Sequence, residues 1–271
     1  MRTSEWLLLG YLAYLLMIAV TRPVPGVRRG RLVVCILAIG ALAVSLAAAP
    51  RVWLTGFARN WLPLLYIFVC YHLSNALFVP PHEGAEALFA RFDRWVRRLV
   101  DLPRMMAQAP RLVVEFLELS YFGYYAALPI GYLALVVAGH GGQADRYWTL
   151  VLLAQFPCFA LLPWVRTRPP WALETPGPMD QRPLLVRRLN RFVISHASIH
   201  FNTFPSSHTA GTLATCLGVM ALSPATGLAL FVLSVCVAVA TIVGRYHYAG
   251  DAIAAVATAL AAWAVVFYGG F

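Results

Sequence analysis

The sequence predicts an all-α membrane protein of about eight transmembrane helices: six core helices, two N-terminal ones and an interfacial amphipathic helix. Three observations predict it. Of 271 residues, 61% are hydrophobic and only 12% charged, whereas a soluble domain carries about 25% charged residues. The apolar residues fall in runs close to the ~20 residues that a ~30 Å hydrocarbon core requires. The charges gather between those runs, and all 21 basic residues are Arg, set against 11 acids for a formal net charge of +10. Such a composition excludes a disordered chain and a disulfide scaffold. The five cysteines (Cys35, Cys70, Cys158, Cys216, Cys236) lie inside apolar runs with no CxxC spacing and read as small packing residues. Nucleic acid is excluded as a partner, because the arginines sit in loops where lipid headgroups and phosphates are the anions at hand.

Taken in order, the first span is about 5–21. Arg22, Pro23 and Pro25 follow it with no small-residue cleavage site, so it reads as a span and not a signal peptide. The runs 32–49 and 61–80 are the next two. Segment 81–110 contains Leu88, Phe92, Trp95, Val96 and Leu99 at helical spacing with Arg91, Arg94, Arg97 and Arg98 between them. That pattern predicts a helix lying in the interface, apolar side in lipid and guanidinium groups among headgroups. Spans 111–138 and 147–164 follow. Segment 165–205 is rich in Pro, Arg and His and has no spanning run. The last spans are 206–222, which opens with polar residues, 227–244 and 251–268. Trp61, Trp148 and Trp164 read as interface anchors, and His72 and Asn75 as interhelical hydrogen-bonding groups.

With eight spans, loops 22–31, 81–110, 165–205 and 245–250 share one face. Counting Arg111 with its loop, that face holds 17 arginines; Arg2, Arg51, Arg59 and Arg146 lie on the other. The positive-inside rule makes the Arg-rich face cytoplasmic, in a multi-pass protein of a bacterial plasma membrane.

Ionisable groups at membrane depth are costly and mark function by default. Three clusters stand out, all on the Arg-rich face: Arg166-Thr167-Arg168-Pro169-Pro170, Pro205-Ser206-Ser207-His208, and Arg245-Tyr246-His247-Tyr248-Ala249-Gly250-Asp251. Arginines such as Arg168 and Arg245 bind phosphate with planar, bidentate geometry. A helix opening at Ser206 and Ser207 offers free N–H groups and a positive dipole end, with His208 in its first turn. His247 and Asp251 are four apart, so a carboxylate can hold one imidazole nitrogen and leave the other free to attack. One histidine as nucleophile, a second as acid and arginines for charge suffice for phosphoryl transfer without a metal or other cofactor.

These residues resemble the motifs of the type-2 phosphatidic acid phosphatase superfamily: its Pro-Ser-x-His at Pro205–His208, its His-x-x-x-Asp at His247 and Asp251, and the end of its first motif at Arg168-Pro169. The segment Glu118-Leu119-Ser120-Tyr121-Phe122-Gly123-Tyr124-Tyr125 is similar to the inositol phosphorylceramide synthase-like branch. The resemblance covers roughly 80–270 and implies a phosphatase-type core. It divides the chain into a two-helix extension, 1–60, and a six-helix catalytic membrane domain, 61–271, with 165–205 as active-site loop. It implies that His247 attacks phosphorus to form a phosphohistidine, oriented by Asp251, and that His208 protonates the leaving oxygen. Arg168, Arg245 and the backbone near Ser206 and Ser207 would bind the phosphoryl oxygens. The chain departs from the family twice: Leu161 stands where the first motif has Lys, and Thr241 where the third has Arg, with Arg166 and Arg245 available from shifted positions.

The implied substrate is a lipid phosphate reached sideways from the bilayer, and the acceptor is water (a phosphatase) or a lipid alcohol (a phosphotransferase). Two other classes compete. A His-liganded lipid desaturase or hydroxylase would use His196, His200 and His208 on a metal; otherwise His196 and His200 are loop or substrate contacts. A transporter would spread ionisable groups to the midplane and both faces. Glu115 and Glu118, on one helix face, either pair with an arginine inside the bundle or line the pocket.

Overall fold

A computed structural model describes residues 1–24, 26–50, 52–77, 80–176 and 181–270. Pro25, Arg51 and the parts of span 61–80 and loop 165–205 at 78–79 and 177–180 lie outside these. Among the described residues the fold is all-α: α1 Thr3–Thr21, α2 Gly26–Ala48, α3 Trp53–Ala76, α4 Glu83–Leu99, α5 Leu102–Gln108, α6 Arg111–Val137, α7 Ala144–Ala160, α8 Pro170–Leu173, α9 Leu185–Ala197, α10 Ser207–Met220, α11 Pro224–Val243 and α12 Ala249–Tyr268. The extended backbone is confined to one isolated antiparallel bridge, Thr167 with Asn202.

Each of the eight expected spans has its helix, and α1, α2, α6, α11 and α12 are long and apolar enough to cross a membrane. α3, α7 and α10 fall outside that set, and α10 is the shortest. Its 14 residues reach about 21 Å at 1.5 Å per residue, short of the hydrocarbon thickness. It is the buried centre of the bundle, packed against α6, α7, α11 and α12. Composition explains this: Ser207, Thr209, Ala210, Gly211, Thr212, Ala214, Thr215 and Cys216 are all buried, and small side chains let helix backbones approach closely within a membrane. A Cβ on Gly211 would sit 2.2 Å from Gln155 Nε2 of α7, so that crossing requires glycine. α12 offers a matching stripe of Ala252, Ala255, Ala259 and Ala262.

Of the N-terminal pair, α1 packs on α7 and α2 packs against α1 and α3. Asp145, at the start of α7, accepts from Thr3 N (2.9 Å), Ser4 N (2.9 Å) and Ser4 Oγ (2.6 Å), capping α1. At the other end Trp164 donates to Tyr14 (2.7 Å) and Arg22 lies 3.8 Å over the Trp164 ring. Trp148 is not an interface anchor: it is fully buried and donates to Asn60 O (2.6 Å), because the α3 helix begins at Trp53, earlier than the apolar run at 61, and covers it.

The interfacial segment is two helices, α4 and α5, separated where Asp101 caps α5 by accepting from Arg104 N (3.1 Å). α4 carries acids in its first turn and Arg97 and Arg98 in its last, matching the helix dipole. Its inward face mixes two acids with Phe89, which stacks on Phe204 at 4.8 Å and lies 5.6 Å from Tyr248. Glu86 and Asp93 are its buried residues, while Leu88, Trp95 and Leu99 point outward. Leu88, Trp95 and Leu99 of the expected apolar stripe therefore face away from the protein, whereas Phe92 and Val96 are half-buried against it, and Arg97 turns back to pair with Glu174 (2.6 Å).

Candidate active site

The three motif clusters meet at one end of the bundle. α10 delivers His208 in its first turn, with Ser206 as N-cap accepting from Thr209 N (3.4 Å). The turn between α11 and α12 delivers His247. There Arg245 takes a left-handed φ of +60°, a conformation that costs a non-glycine residue of order 1 kcal/mol and is a mark of functional turns. The His208 and His247 rings stand 5.7 Å apart, centroid to centroid, at 62°.

Asp251 organises the second ring. Its Oδ2 lies 3.4 Å from His247 Nδ1 and accepts from Tyr248 N (2.9 Å) and from Asn202 Nδ2. Asn202 carries no motif spacing and was not legible as a site residue; the Thr167 bridge, through Asn202 N to Thr167 O (2.8 Å), sets it there. Asp251 is fully buried, and both oxygens of its carboxylate sit out of water. The Nδ1-to-carboxylate contact leaves His247 Nε2 as the ring nitrogen that Asp251 does not engage.

His208 is walled by aromatic rings. Tyr121 stacks on it at 4.7 Å, Tyr124 lies at 4.5 Å and Tyr125 at 6.0 Å edge-on. Both its ring nitrogens are buried without a hydrogen-bond partner, an exceptional state for an imidazole. A small cavity of about 40 Å³ runs past both histidines, lined also by Tyr71, Tyr121, Asn202 and Ser207. A larger one of about 460 Å³ adjoins it, sharing Trp171, Ile194, His200 and Tyr246 and edged by Arg191 and Arg245.

The other expected site residues form the surround. Arg168 donates bidentately to Glu86 of α4, from Nε (3.0 Å) and Nη2 (2.7 Å), and its N–H also reaches Glu86 (2.8 Å); these bonds hold the Glu86 carboxyl below its ordinary range. Arg245 reaches Glu174 (3.2 Å), Thr175 O (3.1 Å) and Pro170 O (3.3 Å). Arg166 is buried, donates to Asn75 O (2.8 Å) and lies 4.5 Å over Phe201, a cavity wall. The N–H of Ser206 donates to Asp251 O (3.1 Å) and that of Ser207 to Thr203 Oγ1 (3.2 Å). Asp93 of α4 accepts from Ala249 N (2.6 Å), and burial pushes its carboxyl up to about 6. So α4 touches the first and third clusters at once.

Of the two acids, Glu118 pairs with an arginine inside the bundle, and Glu115 caps a neighbouring helix. Glu115 accepts from Leu185 N (2.7 Å) and Val186 N (2.9 Å). Glu118 binds Arg187 Nε (2.8 Å), Asn190 Nδ2 (2.8 Å) and Tyr246 Oη (2.7 Å). Among the described residues, no group of three or more His, Cys, Asp or Glu is placed to hold a metal ion.

The order Arg-Pro, Pro-Ser-x-His, His-x-x-x-Asp, gathered at one end of a helical bundle with the two histidine rings edge-on 5.7 Å apart, agrees with the family comparison: the sequence model of the PAP2 superfamily matches residues 88–265. The chain belongs to the PAP2 superfamily. The match begins inside α4 and ends inside α12, so the PAP2 region holds the three motif clusters, while Tyr71 of the cavity wall and Glu86, the partner of Arg168, precede it with α1, α2 and α3. It assigns the superfamily and no branch within it. No curated protein and no solved structure matches the chain significantly.

Proposed function

We propose that this PAP2 protein transfers the phosphoryl group of a membrane lipid phosphate through a phosphohistidine on His247, without a metal. The observation that carries the reading is the pairing of His247, backed by Asp251, with a His208 whose nitrogens have no protein partner. In the first step His247 Nε2 bonds to phosphorus as the bond to the leaving oxygen breaks, and His208 gives that oxygen its proton. In the second step the acceptor O–H returns a proton to His208 as its oxygen bonds to phosphorus and the N–P bond breaks. Asp251 offsets the positive charge on the phosphorylated ring. The polar end of the pocket lies beside outward-facing apolar helices, which suits a substrate with its headgroup in water and its tails in the bilayer.

Arg168 and Arg245 are the proposed phosphate ligands; the N–H groups of Ser206 and Ser207 would join them only by leaving Asp251 O and Thr203 Oγ1. Each arginine holds a carboxylate, Glu86 or Glu174, of the kind a phosphate oxygen would replace. The acceptor is water or a lipid alcohol, and the adjoining 460 Å³ cavity has room for a second hydroxyl-bearing substrate. A turnover screen of lipid phosphates with and without alcohol acceptors, reading free phosphate and new phospholipid separately, tests the reading. Release of phosphate or formation of a new phosphoester supports it, and inertness towards every lipid phosphate, by folded protein, counts against it.

A further inference from the structure

α9 lies in the stretch whose sequence holds no spanning run, and it is built like α4. Its 13 residues are too few to cross a bilayer. Its buried residues are polar: Arg187 and Asn190, both held by Glu118. Its outward face is apolar, with Leu185 69% exposed, Phe192 60% and Leu189 45%. Arg188 and Arg191, also exposed, run along one edge of that face. An exposed leucine alone means little, but three large apolar side chains on one stripe, opposite a buried ion pair, invert the usual order.

Where α9 sits resolves the inversion. Glu115 caps its first turn and Glu118 anchors its middle, and both acids lie in the first two turns of α6, a candidate membrane span. α9 is therefore strapped within about 10 Å of the start of that span, at the depth where hydrocarbon gives way to headgroups. We propose that α9 is a second interfacial helix, with Leu185, Leu189 and Phe192 inserted in the acyl boundary and Arg188 and Arg191 bound to anionic lipid headgroups. The partner is a lipid surface: an apolar stripe edged by arginines, at the end of a spanning helix, matches the amphipathic helices that lie in the bilayer plane. Ile194 on its other side lines the histidine cavity, so α9 stands between the bilayer and the site. The proposal concerns the membrane surface and stands whether or not the chemistry above holds.

The test uses the full chain in nanodiscs of phosphatidylcholine with or without phosphatidylglycerol. A fluorophore is placed on Leu189→Cys in a background lacking the native cysteines. A nitroxide on the upper acyl chain should quench it far more than iodide in the water does. Nitroxide-labelled phosphatidylglycerol should quench it better than labelled phosphatidylcholine, a preference of about fivefold per arginine that Arg188→Gln with Arg191→Gln removes. Dominant iodide quenching, or self-quenching between labelled copies, overturns the proposal by placing the face in water or against a second chain. Equal quenching by the two lipids overturns the anionic-headgroup assignment.

Discussion

Replacing Asp251 by Asn separates the charge of the third motif from its architecture. Asp251 Oδ2 receives Tyr248 N and Asn202 Nδ2 and faces His247 Nδ1, whereas Oδ1 is buried with no partner. An Asn whose oxygen takes the Oδ2 position keeps all three donors satisfied, so the variant should fold. What it loses is the negative charge 3.4 Å from the ring that becomes cationic on phosphorylation. At an effective dielectric of about 20, that separation is worth about 5 kcal/mol, or roughly 10³–10⁴-fold in rate. Asp251→Ala differs, because it leaves three buried donors without an acceptor, each costing about 1–3 kcal/mol of stability. The assay is turnover of a lipid phosphate by purified protein in nanodiscs, alongside thermal unfolding. Asp251→Asn should be inactive and stable, and Asp251→Ala inactive and unstable. An Asp251→Asn protein with near-normal turnover would refute the role given to this carboxylate.

Three further outcomes follow from named groups. Asp93 holds its proton to about pH 6 in the fold against the ordinary carboxylate range, so its stabilising share is complete at low pH and disappears as pH rises through 6. Asp93→Asn, which keeps the acceptor for Ala249 N, should be more stable than the parent at pH 8 by up to about 3 kcal/mol and equal to it near pH 4; lower stability at pH 8 would contradict this. Turnover should survive EDTA, since protein groups supply the proposed charge stabilisation; loss on chelation with recovery on adding Zn²⁺ or Mg²⁺ would replace this mechanism with a metal site. Single cysteines at Val27 and Arg188, in a background without native cysteines, should resist an impermeant reagent in intact cells, as the 17-to-4 arginine bias requires; labelling of both would place the site on the outer face and leave the chemistry unchanged.

The sequence exposed those features whose signals are local. Apolar runs locate the helices, and the spacing of His247 and Asp251 by itself puts a carboxylate behind an imidazole. The inward face of α4 was harder to see. Its heptad of Leu, Phe and Trp advertised a membrane face, but the use of Glu86 and Asp93 depends on Arg168 and Ala249, far along the chain. The same distance hid the carboxylate partners of Arg168 and Arg245. α9 escaped notice because its arginines and histidine masked a short apolar stripe, and Asn202 because a single bridge to Thr167 is all that places it. The small, polar-edged sequence of α10 gave its place in the order but not its enclosure by α6, α7, α11 and α12.

The central claim is a covalent bond between phosphorus and His247. Purified protein mixed rapidly with a radiolabelled lipid phosphate, quenched in alkali and mapped by mass spectrometry should carry an alkali-stable, acid-labile label on His247. The label should be absent from His247→Ala and should persist longer in a His208→Ala variant if His208 also activates the acceptor. Steady turnover with no label on His247, or label on any other residue, would contradict the account.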